Sequence, residues 1–150
     1  MMKKISLLIL LAVSAIVVMC HSAVAGEPQV FGEYTVHYNA FNTDTLQPAM
    51  AEAYNIVRSK NRGMITVSVM KNESKGVEKP VRANITASAS NLTGQFRTFK
   101  VREIDEGDTI YYVSEFHVAH EEMLDFVLQV LPEGSAKPVV VEFRQKFYTQ

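Results

Sequence analysis

From Val81 to Ser90 the chain alternates apolar and polar residues without a break. Val81, Ala83, Ile85, Ala87 and Ala89 share one parity, and Arg82, Asn84, Thr86, Ser88 and Ser90 the other. Successive residues of a strand point to opposite faces, so this run reads as a strand with one buried and one wet face. The same period governs most of what surrounds it. Tyr34, Val36, Tyr38 and Ala40 alternate with polar neighbours, as do Ile65, Val67 and Val69. Further on, Ile110, Tyr112, Phe116 and Val118 share a face, then Leu124, Phe126, Leu128 and Val130, then Val139, Val141, Phe143 and Phe147. One-faced strands belong to antiparallel sheets; parallel strands are buried on both sides.

Two stretches depart from that period. Between Phe96 and Ile104 the aromatic parity changes, with Phe96 on the even face and Phe99 and Val101 on the odd one, which predicts a bulge or bend. Between Leu46 and Val57, Met50, Ala53, Tyr54 and Val57 recur at helical spacing. Pro48 suits a first helical turn, and Asp44 or Thr45 could cap it. A short helix is therefore expected between the first two of about seven strands, plugging one end of the core. Turn residues at 72–76, 91–94, 105–108 and 132–134 separate the strands. The expected fold is an all-β, immunoglobulin-like antiparallel β-sandwich, with a small closed barrel as the alternative.

The N-terminus carries an address. Lys3 and Lys4 precede an uncharged, largely apolar run from Ile5 to Met19, which closes on Ala23-Val24-Ala25. This is the pattern of a cleavable signal peptide, read here as residues 1–25 with cleavage after Ala25. The expected mature part, residues 26–150, is one periplasmic domain with no further membrane span. Cys20 follows Met19, which is not the small residue a lipidation site would carry, and it would leave with the leader. The full chain has 15 basic and 16 acidic residues. Losing both leader lysines makes the remainder more acidic, which speaks against a nucleic-acid binder.

Three segments carry a family resemblance. They are Tyr34-Thr35-Val36-His37-Tyr38-Asn39-Ala40-Phe41, Ala53 to Gly63, and Val141-Glu142-Phe143-Arg144-Gln145-Lys146-Phe147-Tyr148-Thr149. Together they resemble an exported proteobacterial family known as domain of unknown function 4426. The resemblance implies a periplasmic sandwich. It implies no activity, so no functional residue follows from it.

Two local constellations have chemical character. Arg58, Lys60 and Arg62 would share one face of an extended segment and could grip a phosphate, a carboxylate or a polyanionic glycan. The alternative is a solvated edge whose charges deter aggregation. His117, His120 and Glu121, with Glu122 beside them and His37 joining through the fold, have the donor types of a zinc or copper site. Residues 117 and 120 converge only if the chain turns between them; otherwise they are ordinary polar loop residues. There is no nucleophile elbow, no His-Glu-x-x-His and no phosphate-binding glycine loop, so no catalytic residue and no cofactor is expected. Paired carboxylates at 105–108 and 121–125 read as solvated turns. The resulting expectation is a non-enzymatic binding or interaction module with an envelope protein or an anionic ligand as partner. The alternative is a small-ligand or metal-handling protein using the His117/His120 loop.

Overall fold

The computed structural model describes residues 26–150; the expected signal peptide, residues 1–25 with Cys20, lies outside the described residues. Ten strands build two antiparallel sheets. The first sheet is formed by β1 (Gln29–Phe31), β2 (Tyr34–Asn42), β3 (Arg62–Asn72), β8 (Ile110–His117) and β7 (Arg102–Asp105) in that order, with β4 (Glu78–Pro80) also on β3. The second runs β10 (Val139–Phe147), β9 (Glu122–Pro132), β5 (Ala83–Asn91), β6 (Phe96–Phe99). Neither sheet closes on itself, so the architecture is the expected sandwich and not a barrel.

The alternating residues meet between the sheets. Val36, Ile65, Val67 and Tyr112 from one side face Ala87, Leu124, Phe126, Leu128 and Val141 from the other, all buried. Phe126 stacks on Phe143 at 4.9 Å between ring centres, and Phe116 meets it at 5.6 Å. A run of small residues, Ala87 and Ala89, makes room for these rings. Gly63 does the same on β3: a Cβ there would overlap the Phe116 ring, its partner across the ladder.

Ten strands replace the expected seven for two reasons. β1 and β4 are three-residue strands held by backbone pairing, too short to show a period. The irregular stretch near Phe96 is two strands, because the chain leaves the second sheet after Phe99 and joins the first at Arg102. Such sheet-switching corners need a bend, and the change of parity marks it.

The helix differs more. α1 (Pro48–Ala53) lies between β2 and β3, but it covers the outer face of the first sheet and does not plug the core. Its inward residue is Ala51, which with Ile56, beyond the helix end, joins Met64 in a separate small cluster. Met50 and Val57, expected on the buried stripe, are 49% and 56% exposed. Six residues make less than two turns, so the stripe runs past the end of the helix. The caps differ too. Gln47 is the N-cap and gives no side-chain bond, while Thr45 Oγ1 donates to Asn42 O at 2.7 Å. A 3-10 turn at Thr43–Thr45 takes up the residues that would have capped it.

Candidate functional site

Across the outer face of the first sheet the register sets Phe41 beside Met64, and Thr66 beside Val113. Three of these four are apolar, on a face that along β2 otherwise carries Thr35, His37 and Asn39, and Met64 and Val113 are each only 3% exposed. The segment carrying α1 folds over them. It is held at three points, two that close it on itself and one that ties it to the sheet. Thr43 Oγ1 donates to Val57 O at 2.8 Å and accepts from the Ser59 N–H at 2.9 Å. Arg58 Nη2 donates to Asp44 O at 2.8 Å. Arg102 Nη2, from β7, donates to Tyr54 O at 2.6 Å.

Between this segment and the sheet lies a pocket of about 230 Å³. Phe41, Met64 and Val113 form its floor, Met50 and Tyr54 the helix side, and Tyr111 and Glu106 the opposite side. Glu106 is placed by a turn in which the Gly107 N–H donates to Asp105 Oδ1 at 2.9 Å and the Glu106 N–H to Thr109 O at 2.9 Å. Gly107 holds φ at +81°, a conformation that favours glycine. A largely apolar concavity with a few polar groups at its margin is the usual form of a small-ligand site. No single motif encodes it. The available signal was Tyr111 and Val113, apolar residues on the wrong parity of β8.

The cationic row is not one extended face. A turn closed by the Arg62 N–H on Ser59 O at 3.3 Å separates Lys60 from Arg62. Arg58 is spent on the Asp44 carbonyl, and Arg62 lies 3.5 Å from Glu115, which also faces Arg102 at 3.9 Å.

The histidine loop does turn, with Glu121 at φ +56° between β8 and β9. His117 ends β8 exposed and with no side-chain partner among the described residues, but the other three side chains are already engaged. His120 Nδ1 accepts from the Thr149 N–H at 3.2 Å, and Glu121 pairs with Lys146 at 3.2 Å. Glu122 pairs with Arg97 at 2.6 Å and accepts from the Ala119 N–H. His37 sits on β2, 4.0 Å from Glu78 of β4. Among the described residues no group of three or more His, Cys, Asp or Glu side chains is arranged to hold a metal.

The profile of a family described as domain of unknown function 4426 matches residues 28–150. The chain belongs to that family. A crystal structure of a DUF4426 family protein from Pseudomonas aeruginosa PAO1 is 36% identical, with a TM-score of 0.70, covering 83% of this chain and 95% of its own. Two structures of FetP from uropathogenic E. coli strain F11 share the fold at a TM-score of 0.60 each. The first, as isolated after recombinant expression in the E. coli periplasm, is 13% identical and covers 84% of this chain and 95% of its own. The second, a copper-bound single-residue variant, is 14% identical and covers 84% and 97%. No curated protein matches the chain.

Proposed function

We propose that this DUF4426 protein is an exported, non-enzymatic binding module that takes a small, mainly apolar ligand in the pocket between α1 and the outer face of the first sheet. The observation that carries this reading is the pocket itself: apolar side chains shielded by a segment held at three points. The leader supports export, and the lack of a catalytic constellation supports binding without turnover. Methionine methyl NMR tests the site, because Met50 and Met64 line the pocket whereas Met70 and Met123 do not. Small aromatic and aliphatic fragments should shift the Met50 and Met64 signals and leave the other two in place. Shifts confined to Met70 or Met123, or none at all, would remove the proposal.

Metal handling is the second reading, favoured by the likeness to a copper-bound fold relative. The histidine loop does not fit a metal as it stands, since His120, Glu121 and Glu122 are each held by another group. Copper titration of the metal-free domain decides the matter: tight uptake in a fixed ratio, lost in His120→Ala, would establish it, and uptake indifferent to His120 would reject the loop.

A further inference from the structure

The chemistry of the pocket margin says more about the ligand. Phe41, Tyr54 and Tyr111, three aromatic side chains from β2, the end of α1 and β8, line the same small space. Glu106 lines it with them, and no basic side chain of the described residues lies within ion-pair distance of that carboxylate. Neither Arg102 nor Arg58 pairs with Glu106: Arg102 is held by Tyr54 O and Glu115, and Arg58 by Asp44 O. Aromatic faces carry negative potential and attract a cation, most strongly one that is large and weakly hydrated. A carboxylate without a counter-charge adds to that attraction. Apolar walls, aromatic rings and one free acid together describe a site for an organic cation, not for an anion or a metal ion.

We infer that the pocket selects small molecules bearing an alkylated ammonium group. The cation would meet the rings of Tyr54 and Tyr111 with Glu106 beside it, and its alkyl portion would rest on Met64 and Val113. Size is consistent: a cavity of about 150 Å³ holds benzene, so about 230 Å³ takes roughly nine non-hydrogen atoms. This inference rests on the pocket being a ligand site, and the test separates the two ideas.

The probes are choline and 3,3-dimethylbutan-1-ol, which share one shape and differ in replacing the charged nitrogen by carbon. Binding to the domain of residues 26–150 is followed by calorimetry and by the Met50 and Met64 methyl signals. Choline should bind at least tenfold more tightly than its neutral isostere. Glu106→Gln should cut choline affinity severalfold while leaving the isostere unchanged, and Tyr111→Leu should weaken choline more than the isostere. Glu106 lies in an exposed turn, so its replacement leaves the fold intact, and unchanged methyl spectra without ligand verify this. Equal affinity for both probes, with shifts at Met50 and Met64, would overturn the cation selectivity and leave the pocket reading standing. Choline binding that ignores Glu106→Gln and Tyr111→Leu would also overturn it. No shift from either probe, together with none from the apolar fragments, would end both.

Discussion

Thr43 is fully buried, and its hydroxyl ties the start of the segment around α1 to its end, closing the loop at Val57 and Ser59. In sequence it sits in a polar stretch, Asn42-Thr43-Asp44-Thr45, that reads as helix-cap material. Nothing local distinguishes it from Thr45, because its partners Val57 and Ser59 are 14 and 16 residues away. Thr43→Val keeps the shape and leaves the Ser59 N–H and the Val57 carbonyl without their partner. Urea unfolding should register a loss of about 1–3 kcal/mol, the cost of orphaned buried polar groups. A change within error would mean that water replaces the hydroxyl. Tyr112 is a second residue whose role needed the fold. Its hydroxyl accepts from the Ala83 N–H at 2.8 Å and donates to Glu103 at 3.0 Å, bridging the two sheets. Burial, with Glu103 beside it, raises its pKa above the ordinary 10.0. A raised folded-state value contributes stability that is complete below about pH 10 and disappears as pH rises through the folded value. Wild-type stability should therefore fall above pH 10 more steeply than that of Tyr112→Phe. Parallel slopes in urea unfolding from pH 8 to 11 would contradict this.

Strands were legible wherever a face is buried, because alternation is itself the record of burial. Elements that bury nothing left no such record. β4, Glu78-Lys79-Pro80, is exposed along most of its length and exists through its pairing with Met70, Lys71 and Asn72. α1 misled in the opposite sense: its spacing was helical, but spacing alone cannot say which sheet face a helix will meet. Gly63 shows the same limit inside a strand. In sequence it permits a tight turn or a close approach, and nothing local chooses between them; it lies within β3, kept small by the Phe116 ring. Gly63→Ala should cost about 1–3 kcal/mol through overpacking. It should also shift the aromatic NMR signals of Phe116 and Phe147, whose ring centres are 5.6 Å apart. An alanine variant as stable as the parent would show that the ring moves aside freely.

At the scale of the whole molecule, period two could not separate a sandwich from a barrel, since either gives strands with one apolar face. The distinction lies in which strand edges pair, a property of long-range register invisible in local sequence. Here the outer edges of β1 and β7, and of β10 and β6, end their sheets, and stability rests on the layer between them. The chain has one cysteine, so no intrachain disulfide can share the load. Phe126 is the centre of that layer: it is 1% exposed and lies within 6.3 Å, ring centre to ring centre, of Phe99, Phe116, Phe143 and Phe147. Those rings come from β6, β8 and β10, so its removal weakens both sheets at once. Phe126→Ala should cost about 3–5 kcal/mol. The pocket depends on the sandwich, because its floor on β2, β3 and β8 is the back of the same core. Its Met50 and Met64 methyl signals should therefore vanish in one transition with the far-ultraviolet dichroism of the strands, in wild type and variant alike. A pocket that melts at lower denaturant than the strands would show that the segment around α1 is a separate unit, held by Thr43, Arg58 and Arg102 rather than by the sandwich.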